Sequence, residues 1–185
     1  MSNKKDLFAP TIVLVCICLV ASVLLAATYQ ITKPIIDKIN IENANKSRSE
    51  VIEAANSFTE VTDVDLVNGV TEVYEADCGG YVITSSAKGF GGAIVVMTGI
   101  DADGNIIKIK VTDASNETPG LGSKTTLPDH AAKFVGAKSI TMDKDAATGD
   151  VTYTAPVTGA TYSSKGVFNA VSAALEQFEK IGGAF

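Results

Sequence analysis

Hydrophobic positions along the chain change rhythm twice. Residues 7–27 read "LFAPTIVLVCICLVASVLLAA", an apolar run without a single charge. About 20 such residues span a bilayer core of roughly 30 Å, so the pattern predicts a transmembrane helix over 7–28, with 1–6 as a short flank. Through 29–57 the apolar residues thin out to Ile36, Ile39, Val51, Ile52 and Ala55. Their 3–4 residue spacing predicts an amphipathic connecting helix with Pro34 in its first turn. The polar stretch "ENANKSRSE" marks either a solvated face or a break. No Gly/Ser linker intervenes, which keeps the following domain close to the bilayer.

From residue 58 the period shortens towards two. "VDLVNGVTEVYEA" places Asn68-Gly69 between alternating runs, predicting a hairpin turn. "GYVITSSA" and the continuous apolar run "AIVVMTGI" predict two more strands, the second central. "DADGN" at 101–105 reads as a turn into "IIKIKVT", where Ile107, Ile109 and Val111 alternate with Lys108 and Lys110, predicting one buried and one wet face. "LPDHAAKFVG" suits a short helix, and "SITM" and "VTYTA" short strands. From Ser163 the helical period returns, with Val167, Val171, Ala174, Leu175 and Phe178 on one face. The fold class expected is α+β: one N-terminal span, then an antiparallel-sheet domain over 58–185 with flanking helices.

Composition narrows the classes. The chain has 185 residues, 46% of them hydrophobic, and a net charge of −6. That charge argues against nucleic acid, whose binding depends on neutralising phosphates with Lys and Arg. A cleaved leader has an apolar core of about 7–15 residues and a small-x-small site. The run here is longer, and Leu25-Ala26-Ala27 puts leucine where a small residue is wanted, so the span reads as an uncleaved anchor. Lys4 and Lys5 precede it, while Lys33, Lys38, Lys46 and Arg48 follow it. That count does not decide orientation, because long domains translocate largely regardless of charge. Cys16 and Cys18 lie within the span, and Cys78 stands alone in the domain. His130 is the only histidine, so zinc clusters and serine–histidine triads have little to rest on. A surface or capping role is expected for it.

Three small-residue loops remain. "KGFGG" at 88–92 suits a tight turn or a binding loop. In "NETPGLGSK", Pro119-Gly120 fits a type II turn. The turn does not require Gly122 or the Leu121 between the glycines, and these suit close backbone approach to a flat ligand with an apolar contact. "TGATYSS" at 158–164 offers four Ser and Thr hydroxyls beside a helix start. Thr158 or Ser163 suits an N-cap, and the same helix start suits an anion.

Taken in order, "GFGGAIVVMTGIDADGNI", "ETPGLGSK" and "TGAT" after a single N-terminal span resemble the G subunit of the Rnf complex. The C subunit of the sodium-pumping NADH:quinone reductase has a related flavin-binding domain. The resemblance covers nearly the whole chain. It implies that Thr161, the last residue of the (Ser/Thr)-Gly-Ala-Thr motif, carries FMN through a phosphoester, installed from FAD by a separate flavin transferase. It also implies that Thr118, Gly120, Leu121 and Gly122 line the isoalloxazine ring. Gly159 and Ala160 would leave room for transferase and phosphate, and Thr158, Ser163 and Ser164 would donate to phosphate oxygens.

By the same resemblance the chain is an electron-transfer subunit of a redox-driven ion-translocating ferredoxin:NAD+ oxidoreductase, without turnover of its own. Its partners would be the A, B, C, D and E subunits and the lipid bilayer. The N-terminus would be cytoplasmic and the C-terminal domain extracytoplasmic. The sequence departs from the family at Ala155, where the flavinylation motif usually has an aspartate. Asp150 is a carboxylate that could take its place in transferase recognition. The alternatives are another membrane-anchored flavoprotein serving electron export, or a non-redox extracellular binding module in which "TGATYSS" only caps a helix.

Overall fold

A computed structural model describes residues 4–182. Part of the expected N-terminal flank, residues 1–3, lies outside the described residues. The chain divides into two compact units, residues 1–44 and 45–185. Helix α1 runs without interruption over Lys4–Val51. Among the described residues it is the one helix long and apolar enough to cross a membrane, and its apolar side chains from Ile12 to Leu25 are exposed. The expected helix start at Pro34 does not occur. Pro34 lies inside α1, as does Pro10, at the loss of one backbone donor each. The polar "ENANKSRSE" stretch is helical rather than a break.

The second unit is built on a five-stranded antiparallel sheet in simple sequence order, β1 (Phe58–Glu60), β2 (Val70–Ala76), β3 (Tyr81–Lys88), β4 (Ala93–Ile100) and β5 (Ile106–Asp113). Asn68-Gly69 does turn, with Gly69 at φ +95°, but it is not a hairpin. The preceding "VDLV" forms no strand. Buried Gln177 straps that loop down instead, its Oε1 accepting the Val67 N–H at 2.6 Å. β5 also departs from simple alternation. Gly99 pairs with Lys108 while Ile100 pairs with Ile106, which leaves Ile107 as an extra residue. That bulge turns Ile107 outward, so Ile106 and Ile109 are the buried pair.

Short helix α2 (Pro128–Ala131) continues into a 3-10 turn over Ala132–Phe134. β6 (Ser139–Thr141) and β7 (Val151–Tyr153) form a separate parallel pair. Helix α3 (Thr161–Lys180) then lies across one face of the large sheet. Val167, Ala170, Val171, Ala174 and Phe178 pack into one core with Ile83, Ile94, Val96 and Ile100. The apolar face predicted for this helix is buried as expected. Ser85 Oγ fixes its height on the sheet by donating to the Ala170 carbonyl at 2.7 Å.

Within the same unit, residues 45–55, the end of α1 and the turn after it, close against the sheet. Val51 and Ile52 are buried, and a Cβ on Gly99 would collide with both. Arg48 lies with its guanidinium 3.5 Å from the Tyr74 ring centroid and pairs with Glu72 at 3.1 Å. Lys110 and Lys108 pair with Glu50 and Glu53. A stacked, largely buried guanidinium is worth more than the exposed pairs around it.

Of the surface or capping role expected for His130, the surface half fails, since it is 3% exposed. Its ring packs edge-on to Phe134, and Nδ1–H donates to the Thr125 carbonyl at 3.2 Å. Burial lowers its pKa, Lys133 lowers it further, and the Thr125 bond opposes both. The unfolded chain therefore takes up this proton first, near pH 6.5. The His130 contribution is complete above that value and is lost as pH falls toward the depressed folded-state pKa. The thermal midpoint of the full chain in detergent is expected to fall between about pH 7 and 5, and His130→Gln to flatten that slope. An unchanged slope in the variant would contradict this assignment.

Candidate functional site

The three small-residue loops meet at one end of the sheet. The first joins β3 to β4, with the Gly89 N–H donating to the Gly92 carbonyl at 2.7 Å. Its glycines do not serve positive φ, since none of Gly89, Gly91 and Gly92 has one. They serve close approach. A Cβ on Gly91 would strike the Asn116 carbonyl, one on Gly92 would lie 2.8 Å from the Asn116 Cβ, and one on Gly89 would meet the Glu117 carboxylate. At the tip of this loop Phe90 is 68% exposed, an apolar ring facing outward without a core to enter.

The second loop carries the expected turn. Leu121 N–H bonds to the Thr118 carbonyl at 3.2 Å, and Gly120 takes φ +77°. The two glycines of this loop thus do different work. Gly120 supplies the turn, with nothing within 4 Å of its absent Cβ. Gly122 supplies space: a Cβ there would lie 2.6 Å from Glu117 Oε2 and 2.7 Å from Ser163 Oγ. A 3-10 turn follows over Gly122–Thr126.

The third loop is the start of α3. The helix begins at Thr161, two residues before the expected start. Its N-cap is Ala160, and no side chain caps it. The expected caps fail for separate reasons. Thr158 lies inside a turn closed by Ala160 N–H on the Val157 carbonyl at 2.9 Å. Ser163 lies within the first turn and donates inward to Glu117 Oε2 at 2.5 Å. Ser164 Oγ accepts the Val157 N–H at 2.9 Å. The first-turn N–H groups, which no helix satisfies internally, are left without a capping oxygen.

Between these loops lies a pocket of about 180 Å³, lined by Phe90, Thr118, Leu121, Gly122, Gly159, Ala160, Thr161, Tyr162 and Ser163. Thr118, Leu121, Gly122, Gly159, Ala160, Thr161 and Ser163 among the sequence-predicted residues therefore share one cavity. Gly120, Thr158 and Ser164 are not on its lining. Thr158 instead borders a second hollow with Lys124, His130 and Lys133. Ser163 and Ser164 are both buried, and the Ser163 proton is committed to Glu117 rather than free for a phosphate. Thr161 is exposed.

Sequence reasoning missed three residues. Phe90 and Tyr162 are exposed aromatics whose ring centroids lie 6.4 Å apart. The signal was present in each case, a large ring set among glycines or hydroxyls. Glu117 is 4% exposed, and its Oε1 accepts the Gly91 N–H at 3.0 Å while Oε2 accepts Ser163. One carboxylate thus ties all three loops together. In the sequence it is the first residue of "ETPGLGSK", with no local sign that its side chain is buried. Ala155, where the resemblance led to the expectation of an aspartate, gives its carbonyl to Lys133 Nζ at 2.8 Å. Asp150 is exposed. Among the described residues no group of three or more His, Cys, Asp or Glu is placed to hold a metal ion.

A family model described as an FMN-binding domain matches residues 89–176, an interval that begins in the first of these loops and contains the other two. The chain is 31% identical over 186 residues to the G subunit of the proton-translocating ferredoxin:NAD(+) oxidoreductase complex of Clostridium ljungdahlii, with 96% of each chain covered. It is 28% identical over 195 residues to the G subunit of the Na(+)-translocating ferredoxin:NAD(+) oxidoreductase complex of Acetobacterium woodii, covering 96% of this chain and 94% of the relative. A crystal structure of the C subunit of the Na(+)-translocating NADH-quinone reductase from Parabacteroides distasonis aligns with TM-score 0.48 and 24% identity over 60% of each chain. On the strength of its full-length relatives, the chain belongs to the family of G subunits of the ion-translocating ferredoxin:NAD(+) oxidoreductase complexes.

Proposed function

We propose that this chain is the flavin-bearing electron-transfer subunit of a membrane-bound ferredoxin:NAD+ oxidoreductase complex, with FMN joined to Thr161 by a phosphoester. The observation that carries this reading is the convergence of three loops on one pocket with an exposed threonine hydroxyl at its edge.

The residues present fit the group. Phe90, Leu121 and Tyr162 supply apolar and aromatic surface for a flat ring. Gly122 and Gly159 let backbone approach it, and Gly159 takes φ +79°, which favours glycine there. Thr161 is the first residue of α3, so a phosphate on its Oγ lies beside uncapped backbone N–H groups. A helix N-terminus stabilises such an anion by about 0.3–1 kcal/mol where exposed. The absent side-chain cap then has a reason: a capping oxygen would compete with the phosphate for the same donors.

FMN, when bound, supplies the redox chemistry, while the protein positions it and tunes its potential. The chain's own residues hold the ring at an open edge, where another protein of the complex is able to approach. An open pocket retains a ligand weakly, and the covalent tether removes that weakness. Attachment by a flavin transferase forms a bond from Thr161 Oγ to the FMN-side phosphorus of FAD and releases AMP. The N-terminal helix anchors the chain with its N-terminus in the cytoplasm and the flavin domain on the other side of the membrane. The remaining subunits of the complex are the electron donor and acceptor.

Two outcomes test this. Co-expressed with a flavin transferase and denatured in SDS, the chain is expected to give a flavin-fluorescent gel band, and Thr161→Val to give a dark one. A fluorescent variant band would remove Thr161 as the attachment point. With limiting transferase, Ala155→Asp is expected to raise the fraction of chain labelled, by restoring the acid usual in the motif. Equal labelling would mean that the transferase does not read position 155.

A further inference from the structure

We infer that Glu117 is a positioning residue of the flavin site, whose carboxylate closes the pocket walls and holds a fixed negative charge that makes the ring harder to reduce. The inference rests on the flavin reading above and goes beyond it, to the first residue of "ETPGLGSK", which does not line the pocket.

The carboxylate lies behind the pocket rather than in it. It contacts two lining residues from the rear: Ser163 through a hydrogen bond to Oε2, and Gly122, where any Cβ would be only 2.6 Å from the same oxygen. Its other oxygen holds the Gly91 N–H, next to Phe90 at the pocket rim. Both oxygens are acceptors in these bonds, which suits the ionised form. Among the described residues, no Lys or Arg lies within ion-pair distance of it.

A buried carboxylate without a cation is costly. Glutamine has nearly the same shape and would keep the Gly91 bond at a lower desolvation cost. Shape and hydrogen bonding alone therefore do not account for an acid at this position. Negative charge does have an effect here. Reduction adds electron density to the ring, and a nearby fixed anion in a low-dielectric wall opposes it. The Ser163 hydroxyl, with its proton turned toward Oε2, partly offsets that charge and fixes where it lies.

These roles separate in two variants of the full chain, each loaded with covalent FMN and titrated spectroelectrochemically. Glu117→Gln removes the charge and keeps the volume, so its midpoint potential is expected to lie above that of the unmodified chain. Ser163→Ala keeps the charge and removes the proton that offsets it, so its midpoint is expected to fall. Opposite shifts are the signature of charge, because a merely structural role weakens or removes the same contact between positions 117 and 163 in both variants and moves them together. Equal or same-direction shifts would overturn the inference. Should Glu117→Gln fail to fold, Ser163→Ala decides alone: a lower midpoint supports the inference, and an unchanged or higher one overturns it. An unmodified chain that takes up no flavin at all would overturn the proposed function, and this inference with it. A loaded chain whose variants do not shift would overturn this inference only.

Discussion

The arrangement of the site depends on one buried carboxylate and its two donors. Glu117 accepts a backbone N–H from the β3–β4 loop and a hydroxyl from the first turn of α3. Several features of the sequence follow from that. Gly89 and Gly122 leave room for the carboxylate, and Gly91 and Gly92 let the first loop lie against Asn116. Ser163 is turned inward and so cannot cap its own helix. The first turn of α3 is left with free N–H groups beside Thr161, the condition that suits a phosphate there.

The sheet and α3 bring these loops within reach of one another. Apolar burial along α3 sets its position over β3 and β4, and Gly166 lets it come so close that a Cβ would lie 3.0 Å from the Gly89 Cα. Hydrophobic packing places the helix to within a turn. The hydrogen bonds from Ser85 to the Ala170 carbonyl and from Ser163 to Glu117 fix its register. These polar contacts are ones that an apolar core makes possible, and they leave Phe90 at the tip of the first loop and Tyr162 in the first turn of α3 exposed.

Periodic features of the fold were legible in the sequence. The charge-free run, the strands at 81–88 and 93–100, and the buried face of α3 each follow from repeated side-chain spacing. Where the sequence misled, a single residue or a distant contact had overridden the local pattern. The bulge at Ile107 shifts β5 by one residue, and no local signal separates a bulged strand from a regular one. "VDLV" has strand-like residues, but Gln177, far along the chain, holds that loop down. In the site, the glycine-bearing motifs were visible while the reason for their glycines was not. Gly120 is explained by its own φ, whereas Gly89 is explained by Glu117 and Ile94 and Gly122 by Glu117 and Ser163, side chains whose packing a one-dimensional pattern does not show. The resemblance marked Thr161, and the structure adds the aromatic residues and the carboxylate around it.

The central claim is that one of the four Ser and Thr hydroxyls in "TGATYSS" carries the flavin, selected by its place at an uncapped helix start on the pocket edge. Tandem mass spectrometry of the flavinylated chain tests this most directly, because fragment ions across 158–164 assign the adduct to one side chain. The account predicts the mass of FMN less one water on Thr161, with Thr158, Ser163 and Ser164 unmodified. An adduct on any of those three, or none on this segment in a chain that carries covalent flavin, would contradict it.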